Sequence, residues 1–226
     1  ETYGFQKAFG SYEEMVKTDN IDLVYIATPH SFHFEHMLLC LNYGKNIICE
    51  KAFCLNENEA RKVIDLAHQK KVFVTEALCT AYLPSKAIIQ SLLQKIGKVV
   101  KFEGVFGAPL MDVERVAKKE LGGGALLDLG VYPLYFVLST LGNDFKITDV
   151  AMKMVNEVDE ECTINLLYQN NINVIIEISV GRDLGYYCDI FGTKGRIHID
   201  NFGMPSAIEI FDENNQLLKT ITDLYP

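Results

Sequence analysis

The sequence is short of positive charge. Its 226 residues carry 21 Lys and Arg against 30 Asp and Glu, a formal net charge of −9. An extended nucleic-acid footprint needs a basic face. The basic residues cluster only as the adjacent pairs Arg61-Lys62, Lys70-Lys71 and Lys118-Lys119, so no nucleic-acid partner is expected. No run reads as apolar and long enough to span a bilayer, which argues against a membrane partner. The N-terminus, Glu1-Thr2-Tyr3-Gly4, has no initiator Met and does not resemble a signal peptide. Low-complexity tracts and internal repeats are missing. None of the six cysteines (Cys40, Cys49, Cys54, Cys79, Cys162, Cys188) falls in a C-x-x-C arrangement. Several lie inside apolar runs, which points to reduced, buried thiols in a cytoplasmic protein. With 49% hydrophobic and 23% charged residues, the chain can bury a core without metals or disulfides.

What is present begins at Leu23. The run Leu23 to Ala27 is continuously apolar, as in a parallel strand covered on both faces, and closes on Thr28-Pro29. Ser31 can cap a helix bearing Phe34, Met37, Leu38 and Leu41, and Gly44 supplies its stop. A strand from Asn46 to Glu50 follows. Asn56-x-x-Glu59 resembles a capping box opening a helix with Ala60, Val63, Ile64 and Ala67 on one stripe. Val72 to Glu76 is the third strand. This β-α-β-α-β order predicts a parallel sheet whose strand ends, at Thr28, Glu50 and Glu76, share one edge. In open parallel sheets that edge binds ligands.

Past Leu78 the character changes. Ser85 to Ile96 reads as helix and Val99 to Phe106 as strand. The stretch from Leu121 to Gly142 is apolar and helix-like but interrupted by Pro133. Seven strand-like runs follow between Ile147 and Ile221, separated by turn signals such as Gln169-Asn170-Asn171 and Asp212 to Asn215. The expected fold class is α/β: a partial Rossmann-type parallel sheet over residues 1–77, then an α+β domain over residues 78–226 with an open, largely antiparallel sheet.

Lys51, beside Glu50 just past a strand end, can hold its ammonium near a reacting oxygen, although such pairs are usually surface features. Asp128 and Tyr132, spaced i, i+4, share a face on a continuous helix. A tyrosine is a poor base at neutral pH, but a nearby ammonium favours the phenolate. Lys51 and Tyr132 can therefore form one acid-base unit if the two domains meet. The plainer reading is a half-buried aromatic and a solvated carboxylate. Gly122-Gly123-Gly124 permits close backbone approach, but its spacing is not that of a dinucleotide loop. Gly192-Thr193-Lys194-Gly195 is too short for a P-loop. His30, His33 and His36 are three apart, so two can share a helix face. No further ligand cluster supports them, His33 and His36 read as capping, packing or exposed residues, and no metal is expected.

The segments Ala27-Thr-Pro-His-Ser-Phe-His33, Gly44-Lys-Asn-Ile-Ile-Cys-Glu-Lys51, Glu76-Ala77, Leu121-Gly-Gly-Gly-Ala-Leu-Leu-Asp-Leu-Gly-Val-Tyr-Pro133 and Gly192-Thr-Lys-Gly195 occur in a familiar order. Together they resemble the glucose–fructose oxidoreductase / inositol dehydrogenase (Gfo/Idh/MocA) family, especially its branch of diol and D-xylose dehydrogenases. The resemblance covers nearly the whole chain. It implies a Rossmann domain, a cofactor that is NAD or NADP, and oxidation or reduction of a small-molecule substrate: a sugar, diol or related carbonyl compound. By matching position it implies catalytic roles for Lys51, Tyr132 and Asp128, with Tyr132 as acid/base. Thr28, Pro29, His30, His33, Glu50 and Lys51 would bind cofactor. Arg115 resembles a loop arginine found ahead of the triple glycine, and assembly into a homodimer or homotetramer through the C-terminal sheet is implied. The sequence departs from the pattern at Ala52, where the family's Glu-Lys-Pro reads Glu50-Lys51-Ala52, at Ala81, where an arginine is usual, and at His30, where asparagine is common. No G-x-G-x-x-G loop is present, and the family's last strand and helix do not follow Pro226. The chain reads as part of a longer protein. A non-catalytic ligand-binding or regulatory protein on the same scaffold is the alternative.

Overall fold

The structure, a computed structural model, describes residues 4–225. Glu1, Thr2 and Tyr3 of the N-terminal segment, and Pro226, lie outside the described residues. The chain divides into two compact units, Glu1–Ala77 and Leu78–Pro226.

The first unit runs α1 (Tyr12–Val16), β1 (Leu23–Ile26), α2 (His30–Asn42), β2 (Asn46–Cys49), α3 (Glu57–Lys70) and β3 (Val74–Glu76). Its strands lie parallel in the order β1-β2-β3. Val24, Ile26, Met37, Leu41, Ile47, Cys49, Val63 and Ala67 form one core, each large side chain contributing about 1.5–3 kcal/mol by burial. Two expectations change. Leu23 and Tyr25 are 48% and 55% exposed, so β1 buries alternate residues rather than both faces. Ser31 does not cap α2. The helix opens on Pro29 with no side-chain cap, and the buried Ser31 Oγ has no hydrogen-bond partner among the described residues. Gly44, at φ +68°, does follow the helix end. The Asn56 box forms with an offset: Asn56 Oδ1 accepts the Glu59 N–H at 3.1 Å, while Glu59 Oε2 accepts from the Leu55 N–H at 3.2 Å.

The second unit contains α4 (Ser85–Leu93), β4 (Val99–Gly107), α5 (Glu114–Ala117) and α6 (Val131–Leu141), then β5 (Phe145–Val155), β6 (Val158–Tyr168), β7 (Asn173–Ser179), β8 (Gly185–Gly192), β9 (Gly195–Asp200), β10 (Ala207–Asp212) and β11 (Leu217–Ile221). Eight strands form one sheet in the order β11-β10-β9-β8-β4-β7-β6-β5. Every pairing is antiparallel except β4 with β7.

The period of two decides the faces of this sheet. Ile210, Ile197, Ile190, Phe102, Val174 and Leu166 stand side by side across six strands. All are buried, with Ile89 and Leu92 of α4 and Phe136 and Val137 of α6 in the same core. One residue along, the facing row is Glu209, His198, Asp189, Glu103, Ile175 and Asn165, on the opposite side. The apolar segment Lys119–Leu141 belongs to the helix layer. Contrary to the reading that no stretch suffices, it is long and apolar enough to cross a membrane by length and composition, yet half of it is buried inside the protein.

On the polar face, Asp189 Oδ1 accepts from His198 Nδ1 at 3.1 Å and from Arg196 Nη1. Burial works to raise the Asp189 pKa, but its bonds to His198 and Arg196 outweigh that and hold it below the usual range. The bond to Asp189 in turn raises His198. A raised histidine stabilises the fold below its unfolded value of about 6.5, and this contribution fades as pH climbs through the folded value. His198→Phe is therefore expected to cost about 1 kcal/mol more at pH 5.5 than at pH 8.5, measured by urea denaturation. An equal cost at both pH values would show that the ion pair contributes nothing.

Candidate active site

In the first unit the parallel register sets Ile26, Cys49 and Glu76 side by side. Thr28, Glu50 and Glu76 consequently reach the same carboxyl edge of the sheet. The edge is tied together by backbone: the Glu50 N–H donates to Ile26 O at 2.9 Å, and the Ala77 N–H to Cys49 O at 2.7 Å.

Lys51 leads a turn whose peptide bond to Ala52 is cis. Its backbone groups are held from several directions. The Lys51 N–H donates to Glu50 Oε2 at 3.2 Å. His30 Nε2 lies 3.0 Å from Lys51 O, and His33 Nδ1 lies 2.8 Å from Ala52 O. The Phe53 N–H donates to Glu76 Oε1 at 2.9 Å. Glu50 also accepts from the Tyr25 hydroxyl. Burial pushes the Glu76 carboxyl above its ordinary value, against the Phe53 bond and the charges of His33 and Lys51. Lys51, Glu50, Thr28 and Pro29 are half-buried and His30 is buried. His33 is fully buried, with its Nε2 at 2.7 Å from Thr28 O. His36 stands apart from this turn. Its Nδ1 lies 3.1 Å from Thr28 Oγ1, its ring stacks on Phe32, and burial lowers its pKa.

The uncapped start of α2 faces this carboxyl edge. An open helix N-terminus at the carboxyl end of a parallel sheet suits an anionic nucleotide, so the residues present fit a dinucleotide cofactor. Thr28, Pro29 and His30 at that helix start, with Glu50 and Lys51 beside it, would hold it.

In the second unit the other sequence candidates lie around the start of α6. Leu126–Gly130 winds as a π-helical turn before α6 begins at Val131. Asp128 and Tyr132 therefore span a widened turn, not the plain α-helix expected. Pro133 does not interrupt the segment: it is the third residue of α6, which continues to Leu141. Asp128 is only 1% exposed, so it is no solvated carboxylate. Arg115 Nη1 of α5 reaches its Oδ1 at 2.6 Å. Tyr132 is half-buried, its ring edge-on to Phe106 at 5.7 Å and to Tyr186 at 6.4 Å. Phe106 and Tyr186 stack at 3.8 Å. Burial pushes the Tyr186 hydroxyl far up, with the neighbouring Tyr132 and Cys79 adding to it.

The triple glycine serves this segment. A side chain at Gly123 would collide with the Val116 and Lys118 carbonyls, and one at Gly124, where φ is +113°, with Asp159. Asp159 Oδ2 accepts the Leu126 N–H at 2.6 Å and anchors the start of the π turn. Burial raises its pKa, opposed by the bonds from Leu126 and Ala125.

Sequence reasoning missed two of these positioning groups. Glu76 had a signal, since the strand pattern already set it on the edge with Glu50. Asp159 had none, because its partner Leu126 is distant in sequence. Lys51 and Tyr132 belong to different units, and each is held by the fixtures of its own unit. Among the described residues no group of three or more His, Cys, Asp or Glu could hold a metal.

Comparison with known proteins adds the following. Residues 1–78 match the profile "Oxidoreductase family, NAD-binding Rossmann fold". Residues 86–198 match "GFO/IDH/MocA C-terminal domain". The trans-1,2-dihydrobenzene-1,2-diol dehydrogenase of Xenopus laevis is 36% identical over 206 residues, covering 89% of this chain and 62% of that protein. The NADP(+)-dependent D-xylose 1-dehydrogenase of Hypocrea jecorina is 42% identical over 147 residues, 60% of this chain and 38% of that one. The chain thus spans 61% to 64% of the length of the diol dehydrogenases of two Xenopus species and Danio rerio. In fold it is similar to KijD10, a 3-ketoreductase from Actinomadura kijaniata solved with NADP and TDP-benzene. The TM-score is 0.88 at 20% identity, over 93% of this chain and 67% of that one.

Proposed function

The chain belongs to the Gfo/Idh/MocA family of oxidoreductases, and from that premise we propose that the full-length protein transfers hydride between NAD or NADP and a sugar, diol or related carbonyl compound. The observation that carries this reading is the turn at Lys51, fastened through four backbone groups at the carboxyl edge of a parallel sheet. When bound, the nicotinamide ring accepts or supplies the hydride. This chain's residues handle the proton and the charge. In the oxidation direction Tyr132, as phenolate, takes the alcohol proton. The Lys51 ammonium, at the carboxyl edge of the first unit, stabilises the developing oxyanion. Asp128, neutralised by Arg115, helps position Tyr132 or substrate. For reduction the proton moves the other way.

The test is an assay of the full-length protein with NAD and with NADP against a panel of diols, aldoses and keto sugars, following nicotinamide absorbance. Steady turnover on one class is expected. Ala52 and Ala81, standing where the family's proline and arginine are usual, favour a second reading, a non-catalytic ligand-binding or regulatory protein. Cofactor binding without turnover on any substrate would support that reading against the first.

A homodimer or homotetramer built on the eight-stranded sheet is part of the proposal. It is supported by the mixed polar face of that sheet and by exposed Ile147, Val150, Met152 and Met154 on its edge strand β5. Light scattering of the purified protein is expected to give twice or four times the chain mass, and a monomer would rule it out. A cytoplasmic location accords with six free cysteines, five of them buried, and cell fractionation tests it.

A further inference from the structure

Both ring nitrogens of His33, on α2, bind into the protein. Nδ1 lies 2.8 Å from Ala52 O and Nε2 lies 2.7 Å from Thr28 O. A carbonyl oxygen only accepts. A neutral imidazole has one N–H and one lone pair, so it can satisfy one of these contacts and must set a lone pair against the other oxygen. Only the doubly protonated ring donates to both. The ring is fully buried, and a buried lone pair facing a carbonyl with no proton between them is costly.

We infer that His33 is a doubly donating cationic clamp that ties the end of β1 to the turn after β2 and so positions Lys51. The inference deepens the proposed function, because it rests on Lys51 acting in turnover. Fixing Ala52 O fixes the turn that Lys51 leads, while the adjacent His30, in edge contact with His33 at 5.7 Å between ring centroids, holds Lys51 O.

Titratable groups on two elements lie near His33. At the end of β3 stands Glu76, whose carboxyl is pushed up by burial and by Glu50, against the Phe53 bond and the charges of His33 and Lys51. From α2 itself come His30, Glu35 and His36, the last lowered by burial and by His33 against the charge of Glu35. Glu76 thus does two things at once. It accepts the Phe53 N–H of the turn, and it interacts electrostatically with His33.

Two measurements on the full-length protein test the inference. With nitrogen-15-labelled histidine, long-range nitrogen–proton correlation spectra at pH 7 should show His33 with both ring nitrogens protonated. A ring with one bare nitrogen overturns the clamp, and this result needs no variant and no activity. The second is a double-mutant cycle. His33→Gln is expected to lower kcat about tenfold with the cofactor KM changed less than about twofold, and to cause no further loss in a Lys51→Ala background. Equal, additive losses in both backgrounds would show that His33 does not act through Lys51. If Lys51→Ala keeps full turnover, the role given to Lys51 in the proposed function fails, whatever the nitrogen spectra show.

Discussion

Tyr132→Phe is expected to lower kcat by about 10²–10⁴-fold while leaving the cofactor KM close to that of the parent protein. The ring is retained, so its edge contacts with Phe106 and Tyr186 persist and the fold has little reason to respond. Only the hydroxyl that exchanges the proton is lost. The neighbouring Tyr186 cannot take over, since burial keeps its own hydroxyl protonated. Steady-state kinetics on the best substrate, with a melting curve as control, check the expectation. Turnover within threefold of the parent would remove Tyr132 from the mechanism.

Gly124→Ala is expected to destabilise the second unit by about 3 kcal/mol. Two effects add. At φ +113° any side chain is strained, and the new carbon would occupy the place of the Asp159 carboxylate. Displacing that carboxylate releases the Leu126 N–H that it accepts. Gly142 is the natural comparison, because it has φ +88° but nothing near the site of an added carbon. Gly142→Ala carries the backbone strain alone and should cost about 1 kcal/mol. Urea midpoints of the two variants separate strain from collision. Equal losses would show that the contact with Asp159 is not what Gly124 serves.

The fold was legible where hydrophobic pattern and local chemistry agreed. Asn56 capped α3 as its spacing required, and the seven runs between Ile147 and Ile221 became β5 to β11, with β6, β7, β9 and β10 alternating against one core face. The misreadings came from geometry that a local pattern does not carry. Leu23 and Tyr25 look like core residues in isolation, and only the layer arrangement shows them exposed. Ser31 has the chemistry of a cap but sits one residue inside the helix that Pro29 opens. The π turn at Leu126–Gly130 has no compositional mark at all. The site was legible to a comparable depth: the strand ends located Lys51 and Glu50 on the edge. Sequence could not show that Asp128 is buried against Arg115, because that pairing depends on where α5 lies, nor that Asp159 holds the turn.

The central strand β4 has a consequence for how the chain is made. Lys101 pairs with Asn173 on one side and Phe191 on the other, so both partners lie roughly 70–90 residues downstream, a marked non-local topology. At ribosomal rates of about 5–20 residues per second, β4 emerges about 4–18 s before it can be fully paired. Through that interval Phe102, Val105 and Phe106 stand on a strand with two open edges, the situation that invites association with other chains. Completion of β8, rather than formation of any early hairpin, is the event that closes this window.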